Sequence, residues 1–130
     1  MITKIAFVAQ PTKNMDAMKT FYGETLGLAA GPDYQMWAEF ECPDGKTVAL
    51  DTFSAQMDDA RSYMALESDD IEADVERLKD AGATISKDVW SNDHDGKHIC
   101  KMAIVQDPDG NPVMIHQIAP DRVEHPTDFK

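Results

Sequence analysis

QDPDGNPVMIHQ, residues 106–117, and ECPDGKTVALDT, residues 41–52, follow one plan. Each runs Pro-Asp-Gly, two spacer residues and a Val. A small or flexible apolar residue (Ala49, Met114), a branched one (Leu50, Ile115) and an ionisable one (Asp51, His116) then follow. Pro108 lies 65 positions after Pro43, half of the 130-residue chain. Pro-Asp-Gly is turn chemistry: Pro presets φ, Asp bonds the backbone ahead of it, and Gly takes the conformation other residues resist. The apolar run after each turn is strand chemistry. The pair therefore predicts a duplicated module whose last strand is entered through a tight turn.

The same order of elements extends outward from both copies. ITKIAFVAQ (2–10) is short, β-branched and aromatic, and ends at Pro11, which predicts a strand. Asn14 is placed to cap a helix over MDAMKTFYGETLG, with Met15, Met18, Phe21, Tyr22 and Leu26 at helical spacing and Gly27 as the stop. YQMWAEFEC and KTVALDTF predict strands joined by the Pro43-Asp44-Gly45 turn, and LAAGPDY is the weakest strand signal. In the second half RSYMALES is a strand, and Asp69 or Asp70 caps IEADVERLKDAG. There Ile71, Val75 and Leu78 form one face, the acids from Asp70 to Glu76 a solvated one, and Gly82 the stop. ATISKDVW, HICKMAIVQ and NPVMIHQI complete the set. Gly82 follows Gly27 by only 55 positions, so the second half carries about ten extra residues, expected in a loop such as SNDHDGKH. That loop is either a specificity element or a hairpin tip that grew. The reading is one domain: module 1 over about 2–56, the acidic linker SAQMDDA, module 2 over about 60–119, and a polar C-terminal arm over 120–130.

Twelve Lys and Arg stand against 24 Asp and Glu, a net charge of −12. That balance disfavours nucleic acid and anionic membranes, whose binding draws on cationic contacts. No apolar run is long enough to span a bilayer, and the first apolar run is too short for a signal peptide, so the expected setting is the cytoplasm. A reducing compartment keeps Cys42 and Cys100 as thiols.

FYGETLGL after the first strand, IEADVERLKDAGA after the fifth and DPDGNPVMIHQ at the end carry a resemblance to the vicinal oxygen chelate superfamily. This is the family of glyoxalase I, bleomycin-resistance proteins, fosfomycin-resistance enzymes and extradiol dioxygenases. The likeness spans about residues 3–118 and rests on three motifs in order plus the duplication. It implies an α+β fold of two βαβββ modules whose sheets form a U-shaped cleft, usually in a homodimer. Active members of the family hold a divalent metal there with His or carboxylate side chains from the first and last strand of each module, and the metal gathers two substrate oxygens.

Carried onto this chain, those four positions are Phe7, Ala49, Tyr63 and Met114. These residues cannot assemble the family's site, and a shift of one residue, to Val8, Leu50, Met64 and Ile115, does not restore it. No cofactor is expected, and a divalent metal is the alternative. A shift of two keeps the face of each strand and brings up Asp51 and His116. They are candidates for an acid/base pair, for a weak two-ligand displaced metal site, or for ordinary structural residues. Phe7, Trp37, Ala49, Phe53, Tyr63, Cys100 and Met114 are candidate pocket lining, and equally suit a core. His94, His98 and Cys100 have ligand-type side chains around a hairpin tip, and Cys100 is a nucleophile only if something lowers its pKa. Three classes stay open. One is a metal-free small-molecule binder, of the kind bleomycin-resistance proteins are. Another is an enzyme (lyase, isomerase or dioxygenase type) using Tyr63, Asp51, His116, Cys100 or a displaced metal. The third is a non-catalytic interaction module.

Overall fold

The computed structural model describes residues 1–57, 60–94 and 96–120, with the side chain of His94 excepted. The expected arm beyond 120, the Asp95 turn residue and part of the acidic linker lie outside the described residues. The order is β1 (Ile2–Pro11), α1 (Met15–Thr20), β2 (Ala29–Asp33), β3 (Trp37–Glu41), β4 (Thr47–Asp51), β5 (Tyr63–Ser68), α2 (Ile71–Asp80), β6 (Thr84–His94), β7 (Lys97–Gln106) and β8 (Pro112–Ile118). Strand, helix and three strands thus occur twice. No helix among the described residues is long and apolar enough to cross a membrane.

The chain forms two compact units, divided within β1. The first contains residues 7–62, with strands in the order β2-β3-β4-β1. β1 runs parallel to β4, pairing Ala9 with Ala49 and Pro11 with Asp51. The second contains residues 1–6 and the described chain from 63 to 120, in the order β6-β7-β8-β5. β5 runs parallel to β8, pairing Ala65 with Met114 and Glu67 with His116. The two ladders are therefore the same: Ala49 and Asp51 occupy in one the places of Met114 and His116 in the other. The 65-residue repeat of the turns is a repeat of register.

Each helix packs on one face of the strands of its own unit. In the first unit Asn14 caps α1, its Oδ1 accepting from the Ala17 N–H at 3.3 Å. The helix then widens into a π turn over Phe21–Thr25, marked by the bond from Leu26 N–H to Phe21 O at 2.8 Å. Gly23 faces the Phe40 ring there, and a Cβ on it would lie 3.1 Å from Phe40 Cε1. Met15, Met18, Tyr22 and Leu28 pack on Ala38, Phe40 and Leu50. Full burial of Leu50 contributes about 2–3 kcal/mol of apolar transfer.

In the second unit Asp70, rather than Asp69, caps α2 through the Ala73 N–H. Ile71, Val75 and Leu78 meet Ala103 and Ile115, with Leu66, Val105 and Val113 alongside. The helix acids are not all solvated, as the spacing suggested. Asp74 is 4% exposed and takes the Ser68 hydroxyl at 2.6 Å and the Met1 ammonium at 2.9 Å. Burial pushes this carboxyl up, but the Ser68 hydroxyl, the ammonium and Arg77 outweigh burial and hold it below its ordinary value.

The surplus of the second half is not a loop. β6 and β7 pair from Thr84–Gln106 out to His94–Lys97, with three irregularities, so most of SNDHDGKH is strand. Of the two readings of that segment, the grown hairpin fits this ladder.

Candidate functional site

Strand alternation sorts the candidates by face. Leu50, Ala38 and Phe40 face α1, so Asp51, Ala49 and Trp37 lie on the helix-free face of the first unit. Ile115 and Ala103 face α2, so Met114, His116, Met102 and Cys100 lie on the helix-free face of the second.

The first unit presents aromatic surface and little chemistry there. Phe7 meets Trp37 edge to face, with centroids 5.3 Å apart. The Trp37 indole N–H donates to Glu39 Oε2 at 2.8 Å. Ala49 is fully buried. Asp51, 4% exposed, spends its carboxylate on the next turn of chain. Oδ1 accepts from the N–H groups of Phe53 and Ser54 at 2.9 and 3.3 Å, and Oδ2 accepts from the Ser54 hydroxyl. This is an Asx-type turn that leads the chain into the 3₁₀ turn Ser54–Gln56. Phe53 points outward and is 61% exposed.

The second unit concentrates the ionisable groups. His116 Nδ1 lies 2.6 Å from Glu67 Oε1, and both side chains are largely buried. Glu67 Oε2 accepts from the Ile118 N–H at 2.8 Å, so both carboxylate oxygens are engaged. On the neighbouring strand β7, Met102 stands opposite His116 and Cys100 opposite Ile118. Cys100 is thus the diagonal neighbour of His116 on one face, within reach of an imidazole. The Asn92 amide donates to Cys100 Sγ at 4.0 Å from the far side. Burial of the ring opposes a charge on it, but hydrogen bonds and charge from Cys100 and then Glu67 outweigh burial and lift His116 to about 9. At neutral pH the ring is an imidazolium.

Tyr63 and Met114 sit on this same face, Tyr63 half-buried and Met114 buried. His98 is further along β7 and pairs with Asp93 Oδ1 at 3.0 Å and with Ser91. Sequence reasoning selected His116 and Cys100 but missed Glu67, which holds the ring. The signal was available: Glu67 follows Tyr63 by four residues and so shares its face, and an acid inside an apolar strand calls for a partner.

The fit to a metal can be tested position by position. Phe7 and Ala49 offer no donor, Met114 offers a thioether and Tyr63 a phenol, which do not make the imidazole and carboxylate set of a hard or borderline cation. Glu67, His116 and Cys100 are ligand types. They stand in line, however, with the ring between acid and thiol, and no three His, Cys, Asp or Glu side chains among the described residues group so as to hold an ion. The residues present do not fit the metal that the fold implies.

The profile of the Glyoxalase/Bleomycin resistance protein/Dioxygenase superfamily matches residues 4–115. A search of curated proteins finds no match. Among solved structures, the chain is similar to a superfamily member from Vibrio splendidus 12B01, with TM-score 0.70 and 18% identity over 87% of this chain and 97% of that one. It is similar to Streptomyces coelicolor methylmalonyl-CoA epimerase, with TM-score 0.65 and 17% identity over 92% and 99%. It also resembles the Mn(II)-bound glyoxalase from Novosphingobium aromaticivorans, with TM-score 0.65 and 22% identity over 89% of this chain and 39% of that one. Identities this low establish the fold and no activity. With the family profile spanning most of its length, the chain belongs to the glyoxalase/bleomycin resistance protein/dioxygenase superfamily.

Proposed function

We propose that this protein binds a small apolar or planar organic molecule on the helix-free face of its second unit, without a divalent metal. The observation that carries the reading is the replacement of the family's ligand positions by Phe7, Ala49, Tyr63 and Met114. Tyr63, Met102, Ile104 and Met114 offer aromatic, thioether and aliphatic surface of the kind that lines small-molecule sites. The neighbouring Glu67–His116 pair adds one fixed polar feature.

Acid/base use of Asp51 and His116 is the weaker reading. Asp51 is occupied by its turn, and an imidazole raised to about 9 is already protonated at neutral pH, so it cannot accept a proton there. The same reading places the protein in the cytoplasm with both cysteines as thiols, which neither Cys42 nor Cys100 contradicts by pairing. It also has two copies associating, which would cover exposed apolar side chains such as Ile5 and Met64.

The test is a thermal-shift screen in chelator-treated buffer, followed by amide chemical-shift mapping of any stabilising compound. Binding raises the melting temperature by mass action, and the shifts should centre on Tyr63, Met102 and Met114. A screen that stabilises the protein only when metal is added, or shifts confined to other surfaces, overturns the reading.

A further inference from the structure

We infer that Cys100 is a reactive nucleophile, held by His116 and Glu67 in a thiol–imidazole–carboxylate line that adds small α,β-unsaturated carbonyl compounds covalently. The binding function proposed above does not require this chemistry, although both use one face.

β7 and β8 place Cys100 diagonal to His116, and β5 and β8 place Glu67 beside it. Glu67 takes Nδ1 at 2.6 Å, which fixes the ring and leaves Nε2 for the thiol. A base near a thiol and an acid orienting that base form the arrangement that activates cysteine nucleophiles. The Asn92 amide, on β6, approaches the sulfur from the other side at 4.0 Å. The titratable groups beside the ring are therefore Glu67 from β5 and Cys100 from β7, with the Asp93-paired His98 two residues further along β7. From β6 the facing side chains are Trp90 and Asn92, which do not titrate.

The step balances without a co-reactant. Sulfur forms the new C–S bond at the β-carbon, the C=C π pair moves to the carbonyl as an enolate, and the Nε2 proton of His116 goes to the α-carbon. No leaving group or change of oxidation state outside the two partners is involved. Cys100 is 4% exposed, which restricts the electrophile to a few heavy atoms.

The test is timed reaction of the folded protein with methyl vinyl ketone from pH 6 to 8, read by intact mass and peptide mapping, with half-buried Cys42 as the internal reference. At pH 6 the Cys100 adduct should form at least about tenfold faster than the Cys42 adduct, and its rate should change less than about threefold up to pH 8. An ordinary thiol gains about tenfold per pH unit over most of that range. His116→Gln should slow Cys100 about tenfold at pH 6 and give it the ordinary slope. Glu67→Gln, which keeps a hydrogen-bonding side chain, should give an intermediate profile if the His116 variant folds poorly. A Cys100 that stays unmodified until the protein is denatured overturns the inference, as does a profile that His116→Gln leaves unchanged. Cys100→Ser separates the two proposals: reversible ligand binding should survive it, and the adduct should not.

Discussion

Raising the pH should destabilise this protein through one residue, and by a predictable amount. His116 moves from 6.5 in the unfolded chain to about 9 in the folded one. Between those values the folded state holds a proton that the unfolded state has released. Stability therefore falls as pH rises. The contribution is fully present below about 6.5 and gone above about 9. At about 1.4 kcal/mol per pH unit this amounts to about 3 kcal/mol. His116 is 13% exposed and Glu67 8%, so solvent screening reduces the figure little. Urea unfolding of the wild type and of His116→Gln from pH 6 to 10 isolates the term, since the other titrations largely cancel in the difference. With a urea slope of about 1–3 kcal/mol per molar, the gap between the midpoints should shrink by about 1–3 M across the range. The imidazole resonances of His116 should titrate with a midpoint near 9. A gap that is flat with pH, or a midpoint near 6.5, refutes the reasoning.

Asp74→Ala should cost about 1–3 kcal/mol, because it strips the buried Ser68 hydroxyl of its acceptor, and the loss should appear in thermal melts at neutral pH. Because the Asp74 carboxyl is held below its ordinary value, its contribution is present above the unfolded value and fades as pH falls through the folded one, so wild type and variant should converge in acid. Asp51→Ala should cost about 1–3 kcal/mol by removing the acceptor of the Phe53 and Ser54 amides, and hydrogen exchange should accelerate at both. Leu50→Ala, fully buried under α1, should cost about 2–5 kcal/mol in urea titrations.

The fold was legible because turn chemistry repeats at a fixed offset. Pro43-Asp44-Gly45 and Pro108-Asp109-Gly110 marked the start of β4 and β8, and the shared register of Ala49 with Met114 follows from that. The π turn at Phe21–Thr25 was hidden, since its apolar spacing reads as plain helix. The length of the β6–β7 hairpin was hidden because Ser91, Asn92 and Asp93 are loop-type residues. They are held in strand by pairing with Lys101, Cys100 and His98. At the candidate site, parity along one strand picked out His116. Its partner could not be read the same way, because Glu67 lies 49 residues earlier and only the parallel pairing of β5 with β8 brings it beside the ring. Asp51 shows the converse: its position matched His116 by symmetry, yet three local hydrogen bonds engage it, and the symmetry of register did not carry over to chemistry.

The most direct test of a metal-free site is the metal content of the untagged protein after loading with Zn, Ni, Fe, Mn and Mg and desalting. With Phe7, Ala49, Tyr63 and Met114 at the ligand positions, less than about one-tenth of an equivalent of any metal should remain. Near-stoichiometric metal that survives desalting, and is lost in His116→Gln, would contradict the account and establish a displaced metal centre.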